Sequence, residues 1–309
     1  MKPLALAVVS LAVTLTGCAF SDHATRPSTL GTPRSSDQLV ALLDTPGPVT
    51  LETIASCDWE VDRSGLINLD APAAKAARLE DGPEPIQVFF HVIRHPTKGV
   101  FLVDTGVEKA LRDAPDQAAL RGLAYSVMHV EKMRFHQPLG DFLAKEATPP
   151  SGVFLTHLHL DHVSGMPDVP NSTPLYAGPG ETHGHSLTNL VVEPNIDRAL
   201  AGKDALNEWP YAGDAAGRFA GVVDVFGDGS VWALSVPGHT EGSTAYLVRT
   251  TTGPVLLTGD ASHTRWGWEH DVEPGTFSGD KPRSAQSLAA LRAFVAQHPH
   301  VEVRLGHQR

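Results

Sequence analysis

The segment THLHLDH, residues 156–162, holds three histidines and one aspartate directly after a short apolar run. Histidine and aspartate are the side chains that most often bind divalent metal ions such as zinc. In an extended segment, residues two apart project to the same side, so His157 and His159 can bind one ion together. Asp161 and His162 then point toward a second ion. The spacing therefore predicts a metal site with two ions.

Three further candidate ligands each follow a predicted strand. His239 lies in SVPGHTEGS, where proline and glycine impose a sharp turn, and Asp260 lies in VLLTGDAS. His307 lies in VRLGHQ, near the end of the sequence. A single histidine or aspartate at a strand end is unremarkable. Together with the first motif, however, these three residues indicate one shared metal centre.

The elements that would position these ligands are mostly short strands. Apolar, β-branched runs at 88–94 and 100–104 flank HPTKG and predict a hairpin. Further strands are predicted at 152–156, 174–177 and 301–305. One pair of strands is predicted around the Gly-Asp-Gly turn and another pair around TTTGP, and a helix is predicted at 284–297. The segments 109–145 and 190–220 are predicted to be mostly helix and loop. We therefore expect one α/β domain over residues 51–309.

Composition narrows the class of protein. The chain has 309 residues, with 41% hydrophobic and 19% charged residues, as in ordinary globular proteins. The formal net charge is -11, and no run of lysine or arginine indicates a nucleic-acid surface. A small-molecule substrate is therefore expected, with no nucleic acid as partner.

The N-terminus resembles an export signal, predicted over residues 1–17. Lys2 precedes an apolar stretch at 4–15 that is too short to span a bilayer comfortably, and LTGC resembles a bacterial lipoprotein cleavage site before Cys18. A lipid on Cys18 would make the protein a periplasmic or outer-membrane lipoprotein; a plain secretory signal is the alternative. Residues 18–50, rich in Ser, Thr and Pro, are predicted to be a flexible tether. Cys57 would then lack a disulfide partner and is expected to be buried.

The order of the motifs resembles that of the metallo-β-lactamase superfamily. THLHLDH, PGHTEGS, TGDAS and the final GH occur in the order typical of this superfamily, and FLVDTG at 101–106 resembles its early motif. The likeness extends from about residue 87 to the end. It implies an α/β fold of four layers, an αβ/βα sandwich, with the metals at one edge between two sheets.

The resemblance also implies a role for each candidate ligand. The first ion would be bound by His157, His159 and His239. The second ion would be bound by Asp161, His162 and His307, and Asp260 would bridge both ions. Asp104 would organise the site without binding metal. Two divalent ions about 3.5–4 Å apart, expected to be zinc, would share a water and convert it to hydroxide at neutral pH. Asp161 could then carry a proton to the leaving group.

Within the superfamily, GDASHTRWGWEHDVEPGTF and the helix after it resemble the N-acyl-homoserine lactone lactonases, which are quorum-quenching enzymes. Those enzymes have a tyrosine three residues after the bridging aspartate, where this chain has His263. We predict that His263 donates a hydrogen bond to the substrate oxygen; the alternative is a neutral surface residue. Trp266 and Trp268 could line an apolar pocket or belong to the core.

The expected function is thus metal-dependent opening of a lactone. Hydrolysis of another ester, a phosphotriester or a β-lactam remains an alternative, and a non-catalytic, metal-binding lipoprotein is a further one. A bridging aspartate favours catalysis, because metal storage does not require a shared hydroxide. The acidic net charge disfavours the nucleases of the superfamily.

Overall fold

The computed structural model describes residues 21–183 and 189–308. Within these ranges the strands form two mixed β-sheets. In chain order they are β1 Thr25–Pro27, β2 Thr32–Pro33, β3 Thr50–Asp62, β4 Pro83–His95, β5 Gly99–Val103, β6 Arg134–Phe135, β7 Gly152–Phe154, β8 Leu175–Ala177, β9 Leu206–Glu208, β10 Val222–Asp224, β11 Val231–Ser235, β12 Thr244–Thr250, β13 Gly253–Leu257 and β14 Glu302–Arg304. One sheet has the order β1-β9-β8-β7-β5-β4-β3-β6, and the other has the order β14-β13-β12-β11-β10-β2.

Helices cover the outer faces of the sheets. They are α1 Ser36–Val40, α2 Arg63–Leu66, α3 Pro72–Ala76, α4 Lys109–Asp113, α5 Leu123–Val127, α6 Leu139–Leu143, α7 Leu160–Val163, α8 Asn189–Ala199, α9 Arg265–His270 and α10 Lys281–Gln297. Short 3₁₀ turns include Glu181–His183 and Gly259–Ala261. In the described part of the chain, no helix is long and apolar enough to cross a membrane.

Three apolar clusters separate the layers. The central one joins the two sheets face to face and includes Phe154 of β7 and Tyr246 of β12. A second lies between the larger sheet and its helices. The third packs α10 on the smaller sheet through Leu291 and Phe294. The predicted four-layer αβ/βα sandwich is therefore confirmed.

The predicted elements occur, with shifted ends. The hairpin is β4 and β5, which pair antiparallel over residues 91–95 and 99–103. The predicted helix at 284–297 begins earlier, at Lys281, because the Asp280 carboxylate accepts the Arg283 N–H at 3.0 Å as an N-cap. Strand β3 is 13 residues long and was not predicted as a strand. Its sequence, TLETIASCDWEVD, alternates only partly between apolar and polar residues.

The prediction of a flexible tether over residues 18–50 is wrong from residue 21 onward. Strand β1 pairs parallel with β9 at the edge of the larger sheet, and β2 pairs antiparallel with β10 at the edge of the smaller one. Leu39 and Leu43 are buried in the third cluster. The composition was misleading because edge pairing uses backbone N–H and C=O groups, which polar residues provide as well as apolar ones do.

The predicted signal at 1–17 and the lipid site at Cys18 lie outside the described residues. Cys57 is buried, with no exposed surface. Burial, together with the nearby Asp161 carboxylate, raises the pKa of its thiol to about 12. At neutral pH Cys57 is therefore a protonated core residue, as expected.

Candidate metal centre

Strand ends bring all seven predicted ligands together at one edge of the sandwich. His157, Asp260 and His307 are each the third residue after their strands, which end at Phe154, Leu257 and Arg304. His159 immediately precedes α7, which carries Asp161 and His162, and His239 lies in the turn between β11 and β12. The ligand atoms form two groups, and within each group they lie no more than 4.8 Å apart.

The first group contains His157, His159, His239 and Asp260. His239 Nε2 lies 3.2 Å from His157 Nε2 and 2.7 Å from His159 Nδ1. His157 Nε2 and His239 Nε2 are each 3.5 Å from Asp260 Oδ2. Three imidazole nitrogens and a carboxylate oxygen therefore converge on one point.

The second group contains Asp161, His162, His307 and the same Asp260. His307 Nε2 lies 3.2 Å from Asp161 Oδ2 and 3.3 Å from Asp260 Oδ2. His162 Nε2 lies 3.6 Å and 3.3 Å from the same two oxygens. Because Asp260 Oδ2 borders both groups, it is in the position that a bridging ligand requires.

The residues fit a pair of divalent cations. Nitrogen lone pairs that face one another within about 3 Å repel unless a proton or a cation lies between them. His162 Nε2 and Asp260 Oδ1 are buried without a hydrogen-bond partner among the described residues. The two groups offer imidazole and carboxylate donors, the set that zinc and similar metals prefer.

Outer contacts fix the orientation of the histidine rings. His307 Nδ1 donates to the Gln87 carbonyl at 2.9 Å, and His162 Nδ1 donates to Asp104 Oδ2 at 2.8 Å. His239 Nδ1 contacts Ser278 Oγ at 3.1 Å. Such contacts leave each Nε2 directed inward and raise its basicity as a ligand.

Asp104 touches His162 and has no atom in either ligand group. Its carboxylate also accepts the Thr156 N–H and hydroxyl, both at 2.8 Å. Its backbone is left-handed, with a φ of 56°, a conformation that is uncommon for a residue other than glycine. Asp104, in the FLVDTG segment, thus contacts both ends of the THLHLDH segment, as an organising residue would.

Burial and nearby charges give the histidines of the two ligand groups different pKa values. Burial lowers the pKa of His159 to about 4 and keeps the pKa values of His157 and His239 well below 6.5. Burial also lowers the pKa of His307, but Asp260 and Asp161 outweigh it and raise that pKa to about 10. The three histidines of the first group are therefore neutral at pH 7. Metal binding to the second group must displace the proton of His307.

His263 lies beside the ligands but in neither group. Its Nδ1 donates to the Leu66 carbonyl at 3.1 Å, and its Nε2 is 3.0 Å from Asp260 Oδ2. The ring packs between His239 and His307, with centroids 5.0 and 5.5 Å away. It is 2% exposed, so it is not a surface residue.

Glu181 is a site residue that sequence reasoning missed. It is 2% exposed, and its Oε2 accepts the N–H of Leu158, which lies between two predicted ligands. Burial raises its pKa to about 7. The only local signal is its position in GPGE, directly after the buried strand β8. No spacing rule links it to the histidines.

Solvent reaches the centre at Asp161. Asp161 is the most exposed carboxylate of the two groups, with 15% of its side chain accessible, compared with 3% for Asp260. A groove of about 740 Å³ runs beside His307 and is lined by Trp59, Arg134 and Arg265, among others. Trp266 and Trp268 pack against the core clusters and do not line this groove.

Comparison with known proteins identifies a family and relatives of this chain. Residues 83–307 match the model of the metallo-beta-lactamase superfamily. The chain is 28% identical over 233 residues to an N-acyl homoserine lactonase, AttM, of Azorhizobium caulinodans, covering 72% of this chain and 82% of that one. It is 30% identical over 148 residues to AttM of Agrobacterium fabrum, and 30% over 184 residues to the gamma-lactamase FDB1 of Fusarium pseudograminearum. These two matches span only about half of each relative, 54% and 43%.

Solved structures share the fold at low identity. A quorum-quenching N-acyl homoserine lactone lactonase superposes with a TM-score of 0.61 at 19% identity, over 85% of this chain and 93% of that one. AidC, a dizinc quorum-quenching lactonase, superposes with a TM-score of 0.54 at 14% identity, over 91% of this chain and 92% of that one. These similarities support the same arrangement of sheets and helices.

Proposed function

Because this chain belongs to the metallo-β-lactamase superfamily, we propose that it is a metal-dependent hydrolase that opens lactones. The observation that carries the proposal is the pair of ligand groups that share Asp260 Oδ2. The relatives named N-acyl homoserine lactonases support a lactone of that type as substrate.

The residues of the two ligand groups would bind the metal ions. His157, His159 and His239 would bind one metal ion, and a second set would bind the other: Asp161, His162 and His307, with Asp260 shared. When bound, two divalent ions supply Lewis acidity and make water a nucleophile at neutral pH. Zinc suits this donor set, and we propose it as the native metal.

Asp161 and His263 are the proposed groups for proton transfer and substrate orientation. Asp161 is partly exposed, so its carboxylate could accept a proton from the attacking water and pass it to the leaving alkoxide. Since Nδ1 of His263 donates to the Leu66 carbonyl, Nε2 is the ring nitrogen that faces the metal centre, and it would be the one to contact a substrate oxygen.

A screen of hydrolytic reactions tests this function. The zinc- and cobalt-loaded protein is assayed on homoserine lactones, β-lactams and phosphotriesters, with Asp260→Ala as the matched inactive control. We expect metal-dependent lactone opening with kcat/KM at least 100-fold above that for the other classes. The gamma-lactamase relative makes γ-lactams a second candidate substrate, so they belong in the same screen. Failure to open any of the lactones would reject the proposal.

We also propose that the protein is exported and anchored by a lipid on Cys18. From Cys18 to Ser21 the chain can span at most about 10 Å. Ser21 is 3% exposed, and its hydroxyl donates to Asp197 Oδ1 at 2.5 Å. A lipid on Cys18 would therefore hold the domain close to the membrane surface.

A further inference from the structure

One buried carboxylate lies between the two loops that carry the histidines of the first ligand group. Glu181 Oε2 accepts the Leu158 N–H at 3.0 Å, between His157 and His159. Thr240 and Gly242, which flank the loop of His239, lie beside the same carboxylate and oppose the rise that burial causes in its pKa, while Glu181 Oε1 has no hydrogen-bond partner among the described residues. Glu181 thus contacts both loops at once.

The backbone next to Glu181 packs tightly on the second of these loops. A Cβ atom on Gly178 would lie only 1.8 Å from the Gly242 carbonyl oxygen, and one on Gly242 would lie 2.9 Å from Glu181 Cγ. Gly180 has a φ of 84° and donates its N–H to Glu208 Oε1 at 3.2 Å. Only glycine permits this approach, so the position of Glu181 is fixed by the backbone as well as by its own hydrogen bonds.

We propose that Glu181 is a positioning residue that holds the His157–His159 loop and the His239 loop at the separation the first metal ion requires. The second ligand group receives no contact from Glu181. Its outer contacts come from Asp104 and Gln87 instead. Loss of the carboxylate should therefore weaken binding of one ion and spare the other. This inference rests on the metal centre proposed above, but it does not depend on the identity of the substrate.

A carboxylate suits this place better than an amide does. The polar groups nearest to it, the N–H groups of Leu158 and Gly242 and the Thr240 hydroxyl, can all donate. An ionised carboxylate only accepts, whereas the NH₂ of glutamine can only donate. In Glu181→Gln the NH₂ group would face these donors in place of an oxygen, and the two loops would separate to relieve the contact.

The test measures metal affinity, with Glu108→Gln as the matched control. Glu108 is also 2% exposed, burial also raises its pKa to about 7, and its Oε1 accepts the Ala119 N–H at 2.6 Å, in a loop without a ligand. The zinc retained per chain is determined against increasing concentrations of a chelator. We expect Glu181→Gln to release one ion at about 10- to 100-fold lower chelator concentration, the usual effect of removing an outer contact. Glu108→Gln should match the wild type.

A double-variant experiment identifies the affected ion. Adding Glu181→Gln to His307→Ala should remove the remaining ion, because only the first group is intact there. Adding it to His239→Ala should change little, because the first group is already broken. If Glu181→Gln folds poorly, Glu181→Asp replaces it in the test. This variant keeps the charge but is one methylene shorter, so it should give an intermediate loss of affinity for the first ion. Equal weakening of both ions, or wild-type affinity in Glu181→Gln, would overturn the proposal. If the wild-type protein bound two ions but opened no lactone, that result would reject the proposed function and leave the proposed role of Glu181 in place.

Discussion

His263 Nε2 lies 3.0 Å from Oδ2 of Asp260, the residue three positions earlier in the chain. Both side chains are almost fully buried, and the opposite nitrogen of His263 is held by the Leu66 carbonyl. The imidazole is thereby fixed next to the oxygen that the two ligand groups share. This placement brings the residue at the position of the lactonase tyrosine to the centre of the site.

The first prediction follows from this contact. Removing one donor to a developing oxyanion usually costs about 2.7–4 kcal/mol, or 10²–10³ in kcat. His263→Ala should therefore lower kcat by about that factor, with two metal ions still bound. His263→Tyr should retain activity or shift it toward homoserine lactones. Loss of a metal ion in His263→Ala would instead identify His263 as a ligand, and an unchanged kcat would make it structural.

A second prediction concerns the shared carboxylate. Because Asp260 Oδ2 borders both ligand groups, Asp260→Ala should weaken both ions, whereas His239→Ala should weaken only the first. The measurement is metal content after dialysis against a weak chelator. If Asp260→Ala released a single ion and kept the other at wild-type affinity, Asp260 would not be a bridging ligand.

A third prediction concerns pH and Glu108. Burial raises the pKa of Glu108 from 4.5 to about 7, so the native state binds this proton more tightly than the unfolded chain does. Stability should therefore fall as pH rises from about 4.5 to 7, where the buried carboxyl ionises. Glu108→Gln should remove about 1–2 kcal/mol of that decline. Denaturant unfolding at pH 5 and pH 7.5, at fixed metal concentration, measures the difference.

The control for this experiment is Glu269→Gln. The Glu269 side chain is 56% exposed, so its carboxylate stays hydrated in both states. Its replacement should leave the pH dependence as in the wild type. An equal slope in wild type and Glu108→Gln would show that Glu108 does not titrate with a raised pKa.

A fourth prediction tests whether the segment before β3 belongs to the folded domain. Leu39 has no exposed surface and packs in the third apolar cluster. Leu39→Ala should cost about 2–5 kcal/mol in the free energy of unfolding, as for other buried leucines. Arg34→Ala, at an exposed position five residues earlier, should change it by less than about 0.5 kcal/mol. No loss of stability in Leu39→Ala would restore the prediction of a tether.

The fifth prediction concerns the proposed lipid anchor. Cys18→Ser should move the protein from the membrane fraction to the soluble fraction of its host without changing kcat, because the metal centre forms from residues after position 100. Fractionation followed by activity assay measures both quantities. Identical fractionation of the two proteins would favour a plain secretory signal.

The sequence by itself determined which residues meet at the metal centre. Four candidate ligands lie within six positions, and His239, Asp260 and His307 each follow a strand that the local pattern predicts. The order of these motifs resembles that of the metallo-β-lactamase superfamily, and this resemblance implied their proximity. The apolar runs predicted several of the strands, because buried strands leave such runs, and the two-sheet sandwich was implied by the resemblance.

Tertiary structure alone decided how these residues are held. The edge strands β1 and β2 use backbone hydrogen bonds, which leave no pattern in the side chains. Glu181 meets Leu158 from 23 positions away, and Leu66 meets His263 from 197 positions away. In both contacts one partner is a backbone N–H or C=O group, which every residue other than proline offers in full. The residue type at that position therefore gives no hint of the contact, and only the folded chain shows which backbone groups lie beside the site.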